Sequence, residues 1–234
     1  MPELLRDFGP NLWVADGPTV SFYGFPYPTR MALIRLADGG LFVWSPSALT
    51  PELKREVDAL GPVRHLVSPN RLHHLYLGEW KTAYPQSHLH ASPGLRGKRR
   101  DLSFDGDLGE RPEPAWDGEI DQVPIPGSFL TEVVFFHRCS ATVLFADLLQ
   151  NFPRDWFRGW RGVLARLDGI VATHPGAPRE WRASFVRRKA ARAALNRVLE
   201  WPIERVLIAH GEPVATDGKA FVRRAFSWLL HSRP

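Results

Sequence analysis

Three stretches of this chain end an apolar run on a residue that can bind a metal. Ser68-Pro69-Asn70-Arg71-Leu72-His73-His74 follows the run Val63–Val67. Val143-Leu144-Phe145-Ala146 leads to Asp147, and Val206-Leu207-Ile208-Ala209 leads to His210-Gly211. Loops at strand ends are where a rigid scaffold presents functional groups. Imidazoles and a carboxylate together suit zinc or iron(II). Taken singly, a His-His pair is a packing accident, an aspartate caps a turn, and a histidine before glycine closes a strand. Their order and shared position at strand ends make them one candidate metal site: His73, His74, Asp147 and His210, holding one divalent metal, zinc or iron.

A geometric count adds Glu132. If Arg138–Ala141 is a four-residue hairpin loop, His137 faces Thr142 and Glu132 faces Asp147. Two carboxylates side by side require a cation or a proton between them. Glu132 is then an extra ligand, a partner of a ligand or a protonated acid. The alternative is a salt bridge to an arginine such as Arg71. Asp147 and Glu132 are the candidates for a catalytic base. Residues 179–199 hold seven basic residues against one acid. There Arg188 and Arg192 share a helical face opposite Val186, Ala190, Ala194 and Val198, so they form either a solvated face or an anion-binding lid. His88 and His90 alternate on one face of a strand and read as structural. Cys139 lacks the histidine partner that would make it a nucleophile.

The elements that must position these residues follow from pattern and punctuation. Strands are expected at Asn11–Ala15, Met31–Leu36 and Leu41–Trp44, the last two joined by the turn Ala37-Asp38-Gly39-Gly40. Thr50 caps a helix that begins at Pro51 and ends at Gly61. Val63–Ser68 is a strand, and a helix over Leu75–Tyr84 buries Leu75, Trp80 and Tyr84. His88–Ala91 is a strand, and residues 92–116, dense in Gly, Pro and charge, form a long loop. Strands at Ile120–Ile125, Thr131–His137 and Thr142–Leu148 precede a helix at Trp156–Leu167 and a strand at Gly169–Thr173. A basic helix at Trp181–Leu199, a strand at Glu204–Ala209 and a helix at Thr216–Leu230, capped by Thr216 or Asp217, complete the chain. Strands first, then alternation around a central hairpin, predict two packed sheets with helices on both outer faces.

The order of these segments resembles the metallo-β-lactamase superfamily. That family has a T-H-x-H-x-D-H loop after a strand, a G-H-T-x-G turn, a strand leading to a bridging aspartate, and a late H-G. The resemblance implies a single-domain αββα sandwich. It aligns Ser68 with the threonine, Pro69 and Arg71 with the first two histidines, His73 with the aspartate and His74 with the last histidine. Ser128 in Pro126-Gly127-Ser128 takes the place of the third histidine of the first metal site, Asp147 that of the bridging aspartate, and His210 that of the final histidine. The first site is thus replaced throughout and the second kept. The resemblance implies one metal and leaves Arg71 to hold an anionic substrate group where the other metal would lie.

Composition bounds the rest. The 234 residues are 44% hydrophobic and 24% charged, values of a folded domain. No run approaches the roughly 18 apolar residues of a membrane span, and no membrane partner is expected. A single cysteine and no secretory signal fit a cytoplasmic setting. The net charge of +5 reflects an arginine excess without a nucleic-acid-binding motif. The expected function is a one-metal hydrolase acting on a small, anionic molecule. Two other readings stand beside it: a non-catalytic binder of ligand or metal, and nucleic-acid processing.

Overall fold

A computed structural model describes residues 3–22, 24–171, 176–179, 182, 185–186 and 188–231. The first sheet comprises β1 (Arg6–Gly9), β2 (Leu12–Phe22), β3 (Phe25–Arg35), β4 (Leu41–Trp44), β5 (Val63–Val67), β6 (His88–Ala91) and β7 (Gly106–Asp107), paired in that order. It is antiparallel up to β4 and parallel from β4 onward. The second sheet runs β11 (Arg205–Ile208), β10 (Thr142–Phe145), β9 (Glu132–His137), β8 (Ile120–Ile125). The strands β10 and β11 are parallel there, and the other pairs are antiparallel.

Alternation along the strands divides the apolar residues among three layers of core. Between the sheets, Leu12, Ala32, Phe42, Trp44 and Val67 meet Val133, Phe135, Leu144 and Leu207. The intervening residues face outward. Met31, Leu33, Val43 and Leu66 pack on α1 (Pro51–Leu60) and α2 (Leu77–Ala83). Val134, Phe136, Val143 and Phe145 pack on α5 (Arg188–Glu200), α6 (Gly218–Ala225) and α7 (Ser227–Leu230). Two short helices complete the set, α3 (Leu95–Lys98) and α4 (Trp160–Asp168). Two strand faces that are both apolar must be covered on both sides, which gives the αββα order.

The structure corrects several expectations. The strands β2 and β3 run far beyond Ala15 and back from Met31, and β1 was not expected. Gly17-Pro18, Pro26 and Pro28 lie within this pair, which has a register shift between Asp16 and Thr19. The helix α2 starts at Leu77, so Leu75 is exposed and Leu77 is buried in its place; Trp80 is buried as expected, and Tyr84 is half-buried. The helix α4 starts at Trp160 rather than Trp156. Of Gly169–Thr173, Val171 makes one bridge to Phe152, and residues 172–173 lie outside the described residues. The start of the expected basic helix is largely outside them too, and α5 begins at Arg188. Its buried stripe is Ala191, Ala194, Leu195, Val198 and Leu199, while Val186 and Ala190 are exposed. The last helix breaks at Phe226, and Asp217 at its start has φ 55° and makes no side-chain cap. Thr50 does cap α1, accepting from Leu53 N at 3.2 Å.

Candidate metal centre

The site is assembled from three strand ends. The first follows β5, where a buried turn is tied by Ser68 Oγ donating to Asn70 O at 2.7 Å. Fully buried Asn70 spans two parts of the molecule. Its Oδ1 accepts from Leu72 N at 2.8 Å, and its Nδ2 donates to Asp147 Oδ2 at 2.8 Å and Glu132 Oε2 at 3.1 Å. His73 is set by this turn and by Ser45, whose Oγ lies 2.7 Å from His73 Nδ1.

The second strand end carries Asp147 and is held by Glu132. The β9–β10 register pairs Thr142 with His137 and Leu144 with Phe135, so Glu132 comes to the end where Asp147 leaves the strand. The Glu132 carboxylate accepts from the backbone N–H groups of Ala146 at 2.8 Å, Asp147 at 2.7 Å and Leu148 at 3.1 Å. With the Asn70 amide, that makes four donors on one carboxylate. Burial and the charge of Asp147 push its pKa up to about 7, opposed by the N–H groups it accepts from and by His73.

The third strand end is β11. Gly211 has φ 108°, and a Cβ there would stand 2.2 Å from Asn151 O. Only glycine lets the chain turn so tightly behind His210. Arg30 ties both sides of this turn, donating to Ile208 O at 2.8 Å and Gly211 O at 2.6 Å. His210 Nδ1 is 2.7 Å from Pro28 O. A carbonyl only accepts, so Nδ1 carries the proton and Nε2 faces the carboxylate.

Three ligand atoms converge. His73 Nε2 is 3.1 Å from Asp147 Oδ2, and His210 Nε2 is 3.3 Å from Asp147 Oδ1. One atom from each of these three residues lies within 4.8 Å of the other two. Burial disfavours the charged Asp147, but His73 and His210 outweigh it and hold its carboxyl far below the usual carboxylate range. In the neutral state, His210 would aim a bare lone pair at a carboxylate oxygen. That arrangement requires a positive species between them, an added proton or a metal ion, and two imidazoles with one carboxylate fit a zinc or iron ion.

The other expected residues are placed differently. His74 is not in the cluster. Its Nδ1 lies 3.2 Å from Arg99 Nη1, and burial with Lys98 and Arg99 lowers its pKa to about 4. It lines the cavity beside the cluster without joining it. Glu132 does not line the site cavity, and its recorded hydrogen bonds run to N–H groups rather than to Arg71. Arg71 lies over the Phe129 ring at 5.0 Å, which brings it to the turn beside exposed Ser128. Arg188 is exposed, and Arg192 Nε donates to Leu229 O at 2.9 Å. Neither lines the cavity, because α5 packs on the outer face of the second sheet. His137 bonds Ser140 Oγ at 2.8 Å, at the far end of the hairpin.

Beside the three ligands lies a cavity of about 260 Å³, with Val20, Tyr27, Pro46, Leu72 and Tyr76 among its apolar walls and Thr29, His74, Lys98 and Gln150 among its polar groups. Lys98 donates to Arg71 O at 3.1 Å. Ser45, Asn70 and Lys98 were not singled out in the sequence. Ser45 ends an apolar strand as the ligands do, and that position was its one available signal.

The family model described as "Domain of unknown function (DUF4336)" matches residues 12–96. No curated protein matches the chain. Solved structures do. The Flv1 flavodiiron core from Synechocystis sp. PCC6803 is 13% identical at a TM-score of 0.65, covering 97% of this chain, which spans 60% of that one. DIM-1 metallo-β-lactamase, in a crystal exposed to ceftazidime, is 16% identical at 0.63, covering 97% of both chains. The metallo-β-lactamase FIM-1 from Pseudomonas aeruginosa, in a mono-zinc form, is 12% identical at 0.59, with 98% and 95% covered. At such identities the likeness is one of architecture, and it agrees with the two sheets and their outer helices: the chain has the metallo-β-lactamase fold.

Proposed function

We propose that this protein is a metal-dependent hydrolase with one divalent metal, zinc or iron, held by His73, Asp147 and His210. The observation that carries the reading is the convergence of these ligand atoms with His210 Nδ1 committed to a carbonyl. A metal bound there supplies a Lewis acid and lowers the pKa of bound water. The protein supplies the rest. Asp147 has one oxygen toward each histidine and would hold the metal between them. Ser45 and Pro28 hold the two imidazoles in register, and the apolar cavity walls exclude bulk water. Lys98 lines the cavity and receives the anionic group of a small-molecule substrate, while Arg71, whose guanidinium lies over Phe129, does not line it. Glu132 holds the Asp147 loop rather than serving as base.

A second reading is ligand binding without turnover. It is favoured by the closed network of Asn70, Glu132 and Asp147, which protein groups alone satisfy.

Elemental analysis and a hydrolysis panel test the proposal. One equivalent of metal per chain is expected, lost in His73→Ala and His210→Ala and kept in His74→Ala. Cleavage of anionic esters or thioesters should fall at least about 100-fold on chelation. A chain that binds no metal at any tested concentration overturns the reading. Metal binding without turnover leaves the second reading.

A further inference from the structure

The helix α4 presents its apolar face to water. Trp160, Val163, Leu164 and Leu167 recur at the spacing of one helical face, and they are 59%, 53%, 43% and 55% exposed. Buried Gly162 and Ala165 face the protein instead. At 100° per residue, Arg161 and Arg166 fall about 110° to either side of the apolar stripe. Arg154 and Arg158 are exposed just before the helix, and the only acids in residues 153–168 are Asp155 and Asp168. Arg161 lies over the Trp160 ring at 4.9 Å, and its buried Nε has no hydrogen-bond partner among the described residues.

This face continues toward the site. The β2–β3 hairpin brings Phe25 against Phe157 at 5.6 Å and Trp160 at 5.7 Å. Next along the hairpin, Tyr27 packs on Phe157 and on His210, and it lines the cavity. The apolar stripe and the cavity wall are therefore joined through Phe25 and Tyr27.

We propose that α4 seats the protein on an anionic lipid surface. Acyl chains would receive the stripe, and lipid phosphates would pair with the flanking arginines. Tryptophan suits this depth because its ring is apolar and its N–H is polar. A second copy of the chain is disfavoured by charge. A two-fold contact would set four arginines of one copy against the same four of the other. The expected absence of a membrane partner rested on the lack of a spanning segment, and a helix lying in the interface needs none.

Co-sedimentation of the full chain with vesicles tests this without metal or substrate, so its failure leaves the hydrolase reading untouched. The protein should pellet with phosphatidylcholine–phosphatidylglycerol vesicles at low salt. It should pellet at least about ten-fold less with phosphatidylcholine alone, at high salt, or when carrying Leu164→Glu and Leu167→Glu. Both substituted residues are exposed, and an unchanged melting curve shows that the variant is folded. No binding, equal binding to neutral vesicles, or binding unaffected in the folded variant overturns the proposal. A wild-type dimer that the variant splits, with no vesicle binding in either, assigns the face to a second copy and overturns it too.

Discussion

Glu132 shows what a count along a hairpin can and cannot deliver. The register that sets it beside Asp147 follows from the sequence, because a four-residue loop fixes every later pair. Its hydrogen bonds do not follow, since they depend on the backbone of residues 146–148 curling over its carboxylate. Those bonds decide its behaviour. All four partners are N–H donors, so a glutamine would turn its own NH2 toward at least one of them. Glu132→Gln is therefore expected to lose about 1–3 kcal/mol of stability, with metal and with chelator alike. Urea melts in both states check this, and a loss confined to the metal-bound state would make Glu132 a metal-site residue instead. The three cluster residues were legible because imidazole and carboxylate at strand ends are chemically conspicuous. Asn70, which joins the β5 turn to both carboxylates, carries no such mark. His74 shows the converse: its type suits a ligand, but it lies outside the cluster.

Elements were read most accurately where local chemistry and burial agree. The helix α1 has its threonine cap, its proline at the first turn and its terminal glycine, and it forms where expected. The hairpin β2–β3 was cut short because glycine and proline inside a strand argue against it. The pair tolerates them through an irregular register between Asp16 and Thr19. The sequence marks Trp156–Leu167 as an amphipathic helix and says nothing of where its apolar side faces. Periodicity reports a stripe and not the direction in which it faces. The junction after β11 gives the sharpest test at this scale. His210 reaches Asp147 only because Gly211 turns at φ 108° against the backbone of Asn151. Gly211→Ala meets both a disfavoured dihedral and a collision with backbone, so about 2–4 kcal/mol of stability should be lost. Metal affinity should fall with it, because His210 is displaced. Calorimetric melting with and without metal reads both effects. A variant that melts like the wild type would show that the turn relaxes without cost.

At the scale of the molecule, the four layers were legible because both faces of most strands are apolar, and such strands cannot face water on either side. Less legible was how many histidines the sandwich would bury. His65 and His90 lie between β5, β6 and Trp116, with His65 Nδ1 and His90 Nε2 3.2 Å apart, and His137 sits inside the β9–β10 hairpin. Burial holds all three near pKa 4, with neighbouring histidines adding to the effect at His65 and His90. In the unfolded chain a histidine titrates near 6.5. Below that value the unfolded state gains protons that the folded state refuses until about pH 4. These three groups therefore leave stability unchanged from neutral pH down to about 6.5, lower it between 6.5 and 4, and leave it level below 4; His74, also held near 4, adds to the fall, and Glu132, held near 7 in the fold, opposes it from about 7 down to its ordinary value of 4.5. Each histidine contributes a slope of at most about 1.4 kcal/mol per pH unit within that window. His137 is the one to remove, since it stands apart from the ligands and from the other two. His137→Gln should flatten the slope near pH 5 by about one proton while leaving the metal site intact. Denaturant melts across the window, performed with chelator to silence the site, measure that slope. An unchanged slope in a folded variant would mean that the His137 imidazole is already charged inside the hairpin.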